Sequence, residues 1–185
     1  RSYFSDVKSA SFPFGYPILL ALFSKILGEN PVNAIILNIL ISGISINILA
    51  KLLKNLNFSK WFNFVGIISL ICNPTYIDEI LSGRPIPAAI FFILLSLVLI
   101  NKNLFLGGLT LGIATLIRFD FIVISFLIII LFSKKFILIR ESKFLIYIFG
   151  FLTGLAPWII FSMLYFGKFW ISDNSWVSIA VDKAF

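Results

Sequence analysis

The stretch LFLGGLTLGIATLIRFDFIVISFLIIILF, residues 104–132, decides the fold. Its apolar residues would suit one long helix, but Arg118 and Asp120 stand in the middle. Read as a single helix crossing a bilayer, it buries both charges in hydrocarbon, at about 2.5–3.5 kcal/mol each on insertion scales. Read as a hairpin, it forms two apolar segments, Leu104 to Ile117 and Phe121 to Phe132, with Arg118-Phe119-Asp120 as a polar turn at one membrane face. The next charges along the chain favour the hairpin. Lys134, Lys135, Arg140 and Lys143 then fall on the same side as Lys51, Lys54, Lys60 and Lys102, as the bias of basic residues toward cytoplasmic loops requires.

The rest of the chain is built the same way. Of 185 residues, 60% are hydrophobic and only 12% charged, against about 25% charged in soluble domains. The mean hydropathy is +1.07. Apolar runs recur at 35–49, 87–100, 104–117, 121–133 and 144–166, which reads as an all-α, polytopic membrane protein. Pattern and breakers predict about six spans and one short amphipathic helix on the outer side. The short helix is Tyr16 to Leu27, opened by Pro17 and closed by Gly28 and Pro31. The spans run from Pro31 to Leu53, Trp61 to Tyr76, Pro87 to Ile100, Leu104 to Ile117, Phe121 to Phe132, and Phe144 to Phe166, the last interrupted by Pro157. Several are shorter than the ~20 residues a bilayer core needs, so they borrow flanking residues or sit in thinned bilayer.

Composition also excludes chemistry. With no histidine, imidazole relays and serine-histidine triads are absent, and with Cys72 alone no disulfide closes within the chain. No phosphate-cradling glycine loop, zinc spacing or dinucleotide fingerprint occurs. The net charge of +7 resides in the loops between spans, a membrane pattern rather than a nucleic-acid one.

Placing the lysine loops in the cytoplasm gives the inner side eight basic residues and one acid, Glu141. The outer side receives the other seven acids: Asp6, Glu29, Asp78, Glu79, Asp120, Asp173 and Asp182. Three segments therefore bring charge to one face: Asp6 and Lys8 before the short helix, Asp78, Glu79 and Arg84 in the 73–86 loop, and the Arg118–Asp120 turn. Irregular backbone at membrane depth is tolerated where protein or water surrounds it, so a polar cavity at the outer leaflet is expected, with Arg84 and Arg118 pointing in. Pro85 and Pro87 fix the direction in which Arg84 leaves the chain. The plainer alternatives are a solvated loop for Asp78, Glu79 and Arg84, and for Arg118 an ion pair or a side chain snorkelling to headgroups. Gly108 with Gly112, and Gly150 with Gly154, have the spacing of close helix packing. Asn38, Ser42, Ser45 and Asn47 line the polar side of one span, where interhelical hydrogen bonding is expected, and Trp61, Trp158, Trp170 and Trp176 suit interfacial anchoring.

Several motifs occur in order. FPFGYPILLALFSKILG (12–28) resembles the P-x-G-Y-P segment and following short helix of polyprenyl-phosphate-dependent glycosyltransferases of the GT-C class. NPTYIDEILSGRPIPAAIFFILLSL (73–97), then GGLTLGIATLIRFDFIVISFLIIIL (107–131), resemble the acidic outer loop, span and arginine-ending helix of the same proteins. LAPWIIFSMLYFGKFWISDNS (155–175) resembles their P-W span and outer loop. The branch resembled contains protein O-mannosyltransferases and aminoarabinose transferases.

The resemblance implies an inverting membrane transferase in a bacterial inner membrane, its active face outward. It moves a sugar from a polyprenyl-phosphate donor to a lipid, glycan or protein acceptor. It implies donor-phosphate contacts for Arg84, Arg118 and Lys8, and acceptor or cavity contacts for Asp78, Glu79 and Asp120. It leaves open a divalent metal, for which no ligand is assigned. The family's catalytic acid precedes the P-x-G-Y-P segment by more residues than are present here. Residues 1–185 are therefore expected to be an internal piece of one transmembrane domain, with the first span, the first part of the outer loop and the catalytic carboxylate upstream of Arg1, and a C-terminal region beyond. Phe12 stands where some relatives carry a lysine. A rival from another class is a transporter or flippase-like permease, which would show broken helices repeated in two halves.

Overall fold

The structure is a computed structural model that describes residues 13–56, 58–137 and 141–166. Lys8, Asp6, Asp173, Asp182, Trp170 and Trp176 lie outside the described residues.

Among the described residues the fold is all-helical. It comprises α1 (Gly15–Leu27), α2 (Asn33–Asn55), α3 (Lys60–Ile71), α4 (Pro74–Leu81), α5 (Ile86–Leu99), α6 (Leu104–Ile117), a 3₁₀ turn (Phe119–Phe121), α7 (Ile122–Ile137) and α8 (Glu141–Phe166). Capping residues in the short connections set the helix starts. Ser59 accepts from the Phe62 amide, Asn73 from those of Thr75 and Tyr76, and Asn103 from that of Leu106. Each supplies an oxygen to an amide that the first helical turn leaves unpaired.

Among the described residues two helices are long and apolar enough to cross a membrane, α2 and the Lys143–Leu164 part of α8, or three if α3 and α4 count as one span bent by 48°, fewer than the six spans expected. The remaining apolar helices have 10–17 residues. The outward faces carry hydrocarbon: Ile39, Leu40 and Ile44 on α2, Val123, Leu127 and Leu131 on α7, and Phe149, Leu152 and Leu164 on α8 are exposed. Contiguous apolar surface on this scale is foreign to a soluble monomer and consistent with a membrane protein.

The closest packing joins α6 and α8. A Cβ on Gly154 would lie 2.5 Å from the Leu109 carbonyl oxygen and 2.9 Å from the Gly112 Cα. One on Gly108 would strike the Tyr147 carbonyl, and one on Gly150 that of Phe105. The two glycine pairs therefore do what their spacing predicts, bringing two backbones together. The contacts advance in the same direction along both helices, so α6 and α8 are parallel, and α7 must return between them. Arg118 interrupts the α6–α7 path with extended backbone (φ −152°, ψ 117°), and the Thr115 and Ser125 hydroxyls bond across the hairpin at 2.9 Å. The single long helix is excluded.

The other neighbours alternate too. Ser96 donates to the Gly107 carbonyl at 2.7 Å, pairing α5 with α6 as a hairpin. Tyr76 donates to Ser42 at 3.0 Å and Asn38 to the Glu79 carbonyl at 3.3 Å, so α4 descends along α2. One end of the bundle thus holds the start of α2, α4, the Gly83–Pro85 turn and the Arg118 turn, where Asp78, Glu79 and Asp120 lie. The other holds Lys51, Lys54, Lys60 and Lys102.

Three expectations need correction. Much of the 73–86 loop is helix: Asn73-Pro74 ends α3 and also starts α4, with Asn73 as cap and Pro74 in the first turn, where its missing N–H costs nothing. Trp158 is 1% exposed, packed against Phe14 and Phe119, and so is a core residue rather than an interfacial anchor. Trp61, 78% exposed, keeps the outward position expected of it. Finally, α1 is apolar on both sides: Tyr16, Leu19, Leu20 and Phe23 pack inward, while Ile18, Leu22 and Ile26 are exposed. Its free face suits lipid rather than water.

Candidate functional site

The segment Phe14-Gly15-Tyr16 lies between the two charged turns. Gly15 abuts the end of α6 so closely that a Cβ would be 2.7 Å from the Leu116 carbonyl oxygen and 2.9 Å from the Ile117 nitrogen. Only glycine allows that approach. Phe14 packs beside Leu116, Phe119 and Trp158 at the Arg118 turn. Tyr16 faces the other way. Its hydroxyl donates to the Gly83 carbonyl at 2.9 Å and to Asn38 Oδ1 at 3.1 Å. Gly83 adopts φ +66°, and a Cβ there would meet that of Ala34 at 2.8 Å, so this turn also needs glycine.

Asn38 completes the junction. It is fully buried, accepts from Tyr16, and donates to the Arg84 carbonyl at 2.8 Å and the Glu79 carbonyl at 3.3 Å. Its amide thus satisfies the backbone at the end of α4, where helix carbonyls lack partners of their own. Burial pushes the Tyr16 phenol above its usual pKa, and the bond to Asn38 pulls in the opposite direction.

The charged side chains form two groups. In the first, Arg84 Nη1 reaches Asp78 Oδ2 at 3.4 Å and Glu79 Oε1 at 3.3 Å. Asp78 and the guanidinium are largely exposed, but the Glu79 side chain is only 8% exposed and its Oε2 is buried without a hydrogen-bond partner. A dry carboxylate oxygen with no donor is costly. In the second group, Arg118 Nε donates to Asp120 Oδ2 at 2.7 Å. That bond uses one edge of the guanidinium, and among the described residues neither Nη of Arg118 has a protein partner. Among the described residues the Arg84 side chain likewise engages only through Nη1.

The structure thus brings Arg84, Asp78 and Glu79 together, and Arg118 and Asp120 together. No hydrogen bond or ion pair joins the two groups among the described residues. What links them is the Phe14–Tyr16 segment. Lys8 is outside the described residues. Glu79, expected at a cavity rim, is buried because it shares the inward face of α4 with Tyr76, three residues earlier. Among the described residues no three His, Cys, Asp or Glu side chains group as a metal site.

Tyr16 and Asn38 are the junction residues that the sequence did not single out for this role. Asn38, an amide within an otherwise apolar span, was the available signal, and its interhelical bonding was expected; its partners were not.

Comparison with protein-family models, with curated proteins and with solved structures finds no match.

Proposed function

We propose that this chain is the membrane-embedded part of a transferase that moves a sugar from a polyprenyl-phosphate donor to a lipid, glycan or protein acceptor at the acidic end of the bundle. In this reading the short apolar helices α5, α6 and α7 also span the bilayer, giving about six spans. The acidic end faces outward from a bacterial inner membrane and the lysine-rich end faces the cytoplasm. One observation supports the reading above the others. Two arginines whose guanidinium edges are only partly filled by the described residues flank the Phe14–Tyr16 segment at one end of an apolar bundle. A guanidinium held there would fork onto a lipid-linked phosphate and stabilise the charge that builds on it as the sugar leaves. Asp78, exposed beside Arg84, would accept from a hydroxyl of the bound sugar or acceptor.

The test is turnover of polyprenyl-phosphate sugar by the purified protein. Arg118→Lys should lower turnover at limiting donor by roughly ten- to a hundredfold, the equivalent of a charged hydrogen bond of about 1.5–3 kcal/mol, with expression unchanged. Arg84→Lys should act in the same direction. Normal turnover in both variants would remove the phosphate role. The broken α3–α4 helix favours a second reading, a transporter, since broken helices line substrate paths there. Substrate uptake into proteoliposomes without transfer would establish that one instead.

A further inference from the structure

The sequence groups Asn47 with Asn38, Ser42 and Ser45 on α2, but the helix turns it to the opposite face. Asn38, Ser42 and Ser45 are buried in the bundle, whereas Asn47 is exposed beside Leu40, Gly43 and Ile44. One of the two described helices long and apolar enough to cross a membrane is α2, and its middle residue is Ile44. At a rise of about 1.5 Å per residue, Asn47 then stands only about 4.5 Å from the centre of the span. Its amide donates to the Gly43 carbonyl at 2.9 Å, and among the described residues that is the side chain's one hydrogen bond. The second N–H and Oδ1 face acyl chains, which hold neither donor nor acceptor. Gly43, one turn away on the same face, is unused as well. The glycines of α6 and α8 each abut a neighbouring backbone, but a Cβ on Gly43 would meet nothing within 4 Å.

We propose that this face of α2 pairs with the same face of a second copy of this chain, the two Asn47 carboxamides bonding to each other across a two-fold axis along the membrane normal. A carboxamide carries donor and acceptor together, so two copies satisfy each other with a pair of N–H···O bonds. Copies of one chain enter a membrane in one orientation, so such an axis sets each residue opposite itself at the same depth. Acyl chains offer no polar group at this depth, and a different helix would need one placed there independently. Gly43 lets the two backbones come close enough for so short a side chain to reach across. Lys51 opposes the pairing, since it lies one turn beyond Asn47 and would meet its own copy. At the roughly −40° crossing that small residues favour, with the helices meeting between Gly43 and Asn47, the axes have diverged by about 6 Å at Lys51. The two ammonium groups then turn outward to head groups. The pairing does not depend on what the arginine turns bind.

Energy transfer between labelled copies in liposomes, over a range of protein-to-lipid ratios, tests this. Cys72, the only cysteine, is exposed and takes the fluorophore. The protein should dimerise, and Asn47→Leu should weaken the dimer roughly tenfold, about threefold for each of the two symmetry-related bonds. Asn47→Gln, which keeps the amide, should stay within about threefold of wild type. Gly43→Leu should also weaken the dimer, whereas Gly43→Ala should not. Because both side-chain positions are exposed, the unfolding midpoint of each variant should match wild type. Geometry is read separately, in a Cys72→Ser background: on oxidation in membranes, Gly43→Cys should form a disulfide-linked dimer, and Val123→Cys, equally open to lipid on α7, should not. A monomer at every ratio would overturn the proposal, and would leave the face to another segment or to lipid. So would a dimer unchanged by Asn47→Leu or by Gly43→Leu, or cross-linking as strong at Val123→Cys as at Gly43→Cys. Weakening by Asn47→Gln as large as that by Asn47→Leu would overturn the amide pairing.

Discussion

Replacing Tyr16 by phenylalanine removes one oxygen and leaves the ring. No cavity forms, so the cost reports the hydroxyl alone. That hydroxyl has a single proton, shared between the Gly83 carbonyl at 2.9 Å and Asn38 Oδ1 at 3.1 Å. Its loss leaves both acceptors without it, one of them on a side chain with no exposure. An interhelical hydrogen bond in a membrane protein averages about 0.6 kcal/mol, and a stranded buried group costs about 1–3 kcal/mol. Tyr16→Phe should therefore destabilise the fold by about 1–2 kcal/mol, measured by reversible unfolding in mixed micelles. Asn38→Leu removes one of the stranded acceptors, so in that background Tyr16→Phe should cost less, with a coupling of at least about 0.5 kcal/mol. The same pair of proteins carries a pH signature. The folded state holds the Tyr16 proton more tightly than the unfolded state does. Its contribution is intact below the ordinary tyrosine value of about 10 and declines as pH rises through the higher folded value. The variant should lack that part of the alkaline decline. If Tyr16→Phe stays within about 0.3 kcal/mol of wild type in both backgrounds, the hydroxyl does not hold the junction together.

The glycines give a second prediction with an internal control. Gly154→Ala places a methyl against the backbone of α6, which cannot move aside as a side chain would, and should cost about 1–3 kcal/mol in the same unfolding assay. Gly43→Ala, on α2 with nothing within 4 Å of the new methyl, should be neutral or stabilise by up to about 1 kcal/mol through helix propensity. Equal effects at the two positions would mean that α6 and α8 are not in backbone contact.

The helices were largely legible in the sequence because their stops are chemically explicit. Gly28, Arg118 and the capping residues Ser59 and Asn103 interrupt apolar runs that have few other polar groups. The close packing of α6 and α8 was foreshadowed by two glycine pairs, since four residues separate successive turns of one helix face, but their parallel direction was not. What escaped was whatever depended on a third dimension. Asn73-Pro74 is as good a helix start as a helix stop, and only the packing of Tyr76 against Ser42 favours a second helix over a loop. Glu79 reads as a surface acid because burial of a carboxylate is rare and follows here from helical phase rather than from composition. Trp158 reads as an anchor by residue type, but Phe14, sequence-distant by more than a hundred residues, covers it. The segregation of acids from lysines was visible in the sequence. That the two arginine turns flank a common segment was not, because it rests on the fit of Gly15 against Leu116.

The central claim is that the Arg84 and Arg118 turns share one face of the membrane, opposite the lysine-rich loops. Site-directed cysteine labelling in a Cys72→Ser background tests it most directly, with single cysteines placed at Ser82, Asp120 and Lys102 and a membrane-impermeant maleimide added to intact cells. The account predicts that Ser82→Cys and Asp120→Cys react from the outside, while Lys102→Cys reacts only after the membrane is permeabilised. Reaction of Ser82→Cys and Lys102→Cys from the same side, or protection of Asp120→Cys where Ser82→Cys reacts, would contradict it.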